Sequence, residues 1–445
     1  MPRNQAESTA SVRPGLIEVL VLVTIATACS QIGYVGHPRY GPFVAAADVL
    51  CALVFLGWAG RELLVRRRAL RTLPWPPAAL FAWLAVGALS LGKSVLDPAG
   101  GLSPGAVKAG VIELAQIGLY FLAGYMLFHE ALDTPEKRRR CMMVLFAAVS
   151  VAVIWGLADY ITQPDAMEVK AGFGNRNVYS AFLVMVLPLL VGFGMHEGDV
   201  RLRAWSLGLC GVGIVTMLGP PHVWLLLLVL CAMIWARGGA WRRALVPALV
   251  VFTLVVSFAL PRNRDANVLE LADLYERGDL YKLEESAGEL SPEDLLIVKK
   301  RWLEWQPALL MITENLPLGV GAGSFQRSIG EARYYSDVPN VKKSEPDTNN
   351  LYLVMGASMG LAGLVCLLAL LGFFWRIVSR RTRGPEWERG LWTGLHGAMM
   401  GLMAANIFSS LFVRGCSLVW VLVFALIAVS ARGAGGEDSH NTPTR

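Results

Sequence analysis

Charge is scarce in this sequence. Only 17% of its 445 residues are Asp, Glu, Lys or Arg, while 55% are apolar and the mean hydropathy is +0.49. A soluble fold cannot bury so large an apolar share, which excludes the two to four soluble domains that this length would otherwise suggest. Metal-ligand spacing is missing too. The seven cysteines (Cys29, Cys51, Cys141, Cys210, Cys231, Cys366 and Cys416) fall in or beside apolar runs. None has a partner at the separation that a zinc site or a disulfide framework needs, so each reads as a small buried apolar residue. A small-residue cleavage site is absent after the first apolar run, Leu16 to Ser30, and that run is expected as a retained helix. The net charge of +6 is spread over the segments between apolar runs, which argues against nucleic acid as a partner.

What is present is a series of twelve apolar runs: 16–35, 43–60, 78–92, 107–128, 141–160, 178–195, 203–218, 223–236, 244–260, 350–377, 391–413 and 416–431. Helices of roughly 20 apolar residues cross a bilayer, and every backbone group inside lipid must be satisfied within the segment. The expectation is therefore an all-α polytopic membrane protein of about twelve transmembrane helices. Residues 1–15 form a cytoplasmic tail, 16–260 carry helices one to nine, 261–349 a large periplasmic loop, 350–431 helices ten to twelve, and 432–445 a second cytoplasmic tail. The basic residues test this division. With a cytoplasmic N-terminus, cytoplasmic segments hold 23 of the 40 Lys and Arg, short outside loops hold six, and the long loop holds the other eleven. Short loops obey the positive-inside rule and long ones translocate regardless of charge, so the orientation follows. Runs seven and eight are joined only by Gly219-Pro220-Pro221-His222, and charge does not distinguish two crossings from a re-entrant hairpin.

The long loop has its own signals. Residues 268–283 carry an apolar stripe of Val268, Leu271 and Leu274. Ser291-Pro292-Glu293 then offers a helix start, and Leu295, Val298, Trp302, Trp305, Leu309 and Ile312 recur on one helical face. Pro307 is expected to kink or restart that helix. Lys299 and Arg301 flank the stripe and Lys300 points away from it. The glycine-rich segment Leu316–Phe325 follows no strand and lacks a Gly-Lys-Ser/Thr ending, so it reads as a flexible turn returning the chain to the membrane surface. Gly356 and Gly360, four apart, read as a close-packing pair.

Five features together resemble the O-antigen ligase/O-antigen polymerase superfamily of bacterial membrane glycosyltransferases. They are the span count, the outside loop before span ten, Phe173-Gly174-Asn175-Arg176-Asn177, the segment from Arg301-Trp302 through Asn315–Phe325, and Asn349-Asn350-Leu351-Tyr352-Leu353. The resemblance implies a GT-C-like fold in the inner membrane and a role in surface polysaccharide biosynthesis. It implies an undecaprenyl-diphosphate-linked glycan as donor, lipid A-core or a second lipid-linked glycan as acceptor, and no metal or cofactor. On it, Arg301 and Arg176 hold the diphosphate, with Asn175, Asn177, Asn350, Tyr352 and Arg327 as further binding residues. Arg333 and Arg414 lie outside and read as solvated or snorkelling cations.

Two positions depart from the family pattern. Where ligases commonly have a His-Asn pair ahead of span ten, this chain has Asn349, whose amide is not a base; where they have an arginine in the seven–eight turn, it has Pro221. An acceptor-activating base would then be Asp347, Glu345 or His222, of which Asp347 lies nearest in sequence to the expected position. Three readings stay open on these residues: a displaced base, positioning without a base, or a non-catalytic component that binds lipid-linked glycan. A small-anion transporter of the bicarbonate type is the rival class. It would need ionisable residues inside its spans, for which Glu18, Asp48, Glu62, Glu113, Asp159 and His396 are the candidates.

Overall fold

A computed structural model describes residues 15–30, 44–96, 104–163, 169–196, 198–218, 220–237, 239–266, 301–328, 348–380, 385–411 and 416–433. The described residues are helical and contain no strand, and the chain is an all-α membrane protein. Its main helices are α1 (Leu16–Ala28), α2 (Ala46–Gly60), α3 (Ala78–Val95), α4 (Pro104–Ala131), α5 (Pro135–Thr162), α6 (Arg176–His196), α7 (Val200–Thr216), α8 (Pro220–Arg237), α9 (Leu245–Ala259), α10 (Arg301–Glu314), α11 (Leu351–Arg380), α12 (Glu386–Phe408) and α13 (Cys416–Gly433). Five of them, α3, α4, α5, α6 and α11, are long and apolar enough to cross a membrane by length and composition; α1, α8, α9 and α13 are shorter apolar helices. Leu53, Leu56, Leu89, Val151, Val365 and Leu368 stay exposed on outer faces, as helices wetted by lipid rather than water require.

The bundle is built around α6. From Val178 to Met195 it carries no charged residue, and a helix apolar all round belongs inside. Its neighbour α12 turns Gly390, Gly394, Gly397 and Gly401 to one side, at spacings of four, three and four. A Cβ on Gly394 would strike the Leu189 carbonyl, and one on Gly401 the Val184 carbonyl, so the two backbones are in contact. On the other side α7 runs the length of α6: Ser206 lies against Gly194, Gly213 against Leu187, and the Tyr179 hydroxyl meets Thr216 Oγ1 at 2.9 Å.

One end of the bundle collects the arginines. There Glu18 meets Arg140 at 3.1 Å, Arg68 meets Glu130 at 2.8 Å, and Arg138 lies 3.7 Å from Glu388. Arg237 at the end of α8 donates to the Val378 carbonyl of α11. The starts of α1, α5 and α12 and the ends of α4, α8 and α11 thus share one end.

The glycine-rich segment is not a surface turn. Val320 N–H donates to the Ala357 carbonyl at 2.9 Å, Gly321 N–H to Ser358 at 3.0 Å, and Val320, Ala322 and Ser324 are buried. α11 receives it by breaking at Gly360 (φ 67°, ψ −174°), which frees the carbonyls of 357 and 358. Ser90 of α3 bonds Ser358 from the opposite side at 2.9 Å, and Glu113 of α4 accepts from the Gly323 N–H. Gly360 is therefore the point of a break, while Gly356 packs against Ile312 of α10. α10 continues through Pro307, and its buried face is Pro307, Ala308 and Met311; Leu309, assigned to the apolar stripe, is exposed. Residues 268–283 and 291–300 lie outside the described residues.

Candidate functional site

The end of the bundle away from the arginines is rich in amides, and four of them, Asn175, Asn177, Asn349 and Asn350, sit where a helix begins. Asn175 precedes α6, and its Oδ1 accepts from Asn177 N–H at 2.7 Å, satisfying a donor that the first turn leaves open. Asn350 does the same for α11, accepting from Leu353 N–H at 3.1 Å. Between these caps, Asn177 Nδ2 donates to Asn349 Oδ1 at 3.3 Å, joining segments 172 residues apart. Asn349 holds φ +47°, a left-handed backbone that asparagine tolerates. Ser409, at the end of α12, donates to the Asn177 carbonyl at 3.4 Å. α10 closes the shelf: Trp305 Nε1 donates to the Thr348 carbonyl at 3.1 Å, and its ring lies 6.3 Å from Phe408.

A second chain of hydrogen bonds supports the shelf from below. Asp159 Oδ2 accepts from Ala171 N–H at 2.8 Å, which fixes the loop before Asn175. Next to it, the Tyr160 hydroxyl donates to Asn263 Oδ1 at 2.8 Å, Asn263 Nδ2 donates to the Val215 carbonyl at 3.0 Å, and Arg262 lies over the Tyr160 ring at 4.7 Å. Through Val215 and Thr216 this network reaches Tyr179 and α6 again.

Tyr352 turns away from the amides. Its hydroxyl donates to the Met403 carbonyl at 2.8 Å, and its ring lines an apolar groove of about 510 Å³ between α8, α11 and α12, with Leu228, Leu364 and Met400. The shelf therefore adjoins a groove open along the helices. Amides offer donors and acceptors in equal measure, as a hydroxyl-rich ligand requires, and the groove offers an apolar chain a place beside it.

The other expected residues fall as follows. Arg176 is the first residue of α6 and is half-buried on the shelf. Arg301 opens α10, four residues before Trp305, and Arg327 lies in the short helical turn Phe325–Ser328; the structure describes the backbone of both and not their side chains. His222 is buried in the first turn of α8. Asp347, Glu345, Arg333 and Arg414 lie outside the described residues. Of the ionisable groups proposed for transport, Glu18 and Glu62 are in ion pairs, Asp159 and Asp48 cap backbone N–H groups, Glu113 holds the glycine segment, and His396 is buried with its ring stacked on Trp375 at 4.8 Å. Sequence reasoning missed Trp305 as a shelf residue, and also Thr348, Tyr160, Arg262, Asn263 and Ser409. Arg262-Asn263, directly after the apolar run that Pro261 ends, was a readable signal. The pairing of Trp305 with Thr348 was not, since nothing local specifies it.

No protein-family profile matches the chain, and no curated protein is significantly similar to it.

Proposed function

We propose that this chain is an inner-membrane glycosyltransferase of the O-antigen ligase or polymerase type, with about twelve spans in a GT-C-like arrangement and both termini in the cytoplasm. Its donor is an undecaprenyl-diphosphate-linked glycan and its acceptor a lipid A-core or a second lipid-linked glycan. The supporting observation is the convergence of the three separate segments on which the resemblance rests. Asn177 from the first meets Asn349 from the third, and Trp305 from the second meets Thr348 beside it. In this reading the sugars lie on the amides, the isoprenoid chain lies in the groove beneath Tyr352, and the diphosphate faces Arg176 and the start of α10.

The chemistry asked of these residues is modest. The bond to the diphosphate is already activated, and the leaving group gathers charge as it departs. Arginine forks stabilise that charge. Asp347 takes the proton of the attacking hydroxyl. Incubation of the purified protein with undecaprenyl-diphosphate oligosaccharide, with and without lipid A-core, followed by gel analysis, tests the proposal. Transfer is expected, with Arg301→Ala slowing it by about 10²- to 10³-fold in a chain that still inserts. Asp347→Asn is expected to slow it by at least about 10²-fold. Normal product length from Arg301→Ala removes the catalytic reading, and wild-type turnover in Asp347→Asn reassigns the base.

A further inference from the structure

The arginine-rich end holds a second concavity, remote from the amide shelf. A cleft of about 870 Å³ opens between the start of α1, the last turns of α2 and the junction of α4 with α5. Its apolar side is made of Leu16, Leu20, Leu50, Leu53 and Val54, of which Leu16 and Leu53 are exposed on the outer face, with buried Trp58 beneath. Its charged lining has both signs, Arg61, Arg66 and Lys137 against Glu18, Glu130 and Asp133. Arg66 and Asp133 are the outermost, each with a side chain 57% exposed. Buried Glu62 anchors Arg61 at 2.8 Å and Arg66 at 3.2 Å, and Lys137 reaches Asp133 at 2.7 Å, so the rim is held in place before anything binds.

An occupant of this cleft must have an apolar tail, an anion and a cation. The three carboxylates are each paired with one cation, Glu18 with Arg140 at 3.1 Å, Glu130 with Arg68 at 2.8 Å and Asp133 with Lys137 at 2.7 Å. A carboxylate accepts from more than one donor, so an ammonium can join them. We propose that the cleft binds a membrane phospholipid with a zwitterionic headgroup bearing a primary ammonium. The phosphate lies against Arg61 and Arg66, the ammonium donates to Glu130 and Asp133, and the start of the acyl chains covers the leucine wall. Basic pockets between helices near a membrane surface bind lipid phosphates, and here the carboxylates add selection for the amine.

Native mass spectrometry on the full chain in detergent tests this, with phosphatidylethanolamine, phosphatidylglycerol and phosphatidylcholine supplied in equal amounts. Phosphatidylethanolamine is expected to be retained about tenfold over each of the others, because trimethylation removes the N–H donors and glycerol removes the cation. Gly57 lines the cleft, and a Cβ there would meet nothing within 4 Å. Gly57→Leu therefore starts a side chain in open space at the cleft and is expected to abolish the preference at an unchanged melting temperature. Arg66→Ala and Asp133→Ala, both at exposed positions, should each reduce retention by about tenfold. Equal retention of the three lipids, preference for the anionic one, or an unaltered preference in Gly57→Leu would overturn the proposal.

Discussion

Asn349 carries two constraints at once. Its backbone lies at φ +47°, and its side-chain oxygen accepts from Asn177. A residue with a Cβ costs about 1–2 kcal/mol in the left-handed region unless it is one of the few types that tolerate it, among them Asn, Asp and His; glycine, with no Cβ, adopts it freely. Asn349→Gly keeps the backbone and loses the side-chain bond to Asn177, an expected loss of about 1 kcal/mol. Asn349→Val loses the bond and adds backbone strain, for roughly 1–2 kcal/mol more. Asn349→His should stay closer to the parent, because imidazole is accepted in the same region. Thermal denaturation in one detergent ranks the three. Equal melting of the Gly and Val variants would show that the backbone at 349 relaxes and that the left-handed turn is not what selects Asn. The sequence showed that Asn349 is no base, but not that the position has a backbone requirement, since φ is set by how α10 and α11 meet.

The glycine-rich segment shows where local reading stops at the scale of elements. Gly319, Gly321 and Gly323 were legible as a turn, read as one that returns the chain to the membrane surface. Their partner was not, because the docking depends on a break in α11 at Gly360 and on Ser90 and Glu113 from other helices. The buried face of α10 was illegible for a related reason. Beside lipid, core and outer surface are both apolar, so Leu309 counts toward the stripe without belonging to the packed side. The wedge makes a sharp contrast between two glycines of one helix. A Cβ on Gly360 would run into the Pro317 carbonyl, and φ there is already left-handed. Gly360→Ala is expected to cost more than about 3 kcal/mol and to free the segment for proteolysis near 317–323. Gly372, exposed on the same helix, meets nothing within 4 Å, and Gly372→Ala should be neutral or stabilising by up to about 1 kcal/mol. Limited proteolysis and melting of the pair check this; indistinguishable variants would mean that the wedge is not held by its glycines.

For the whole molecule, hydropathy predicted a membrane-embedded helical chain because that property is a sum over composition and does not depend on which helix touches which. The identity of the central helix is a packing property. α6 resembles α5 and α11 in hydropathy, and it is central because the glycine side of α12 admits its backbone, a stripe passed over in the sequence although Gly390, Gly394, Gly397 and Gly401 share one face. Charge provides the remaining large-scale quantity, orientation. The ends of α4, α8 and α11 share the arginine-rich end with the starts of α1, α5 and α12, and Arg432 at the end of α13 acts electrostatically on His129 of α4. If that end is cytoplasmic, the amide shelf and the chain between 266 and 301 lie across the membrane from both tails. A fluorescent protein that matures only in the cytoplasm, fused after Gly433, should then glow, and the same protein inserted between 281 and 290 should stay dark. Alkaline phosphatase, active only outside the cytoplasm, should give the opposite pattern. The reverse result at both positions would turn the bundle over. It would place the amide shelf in the cytoplasm, where a donor presented at the periplasmic face does not reach it, and the proposed transfer reaction would fall with the orientation.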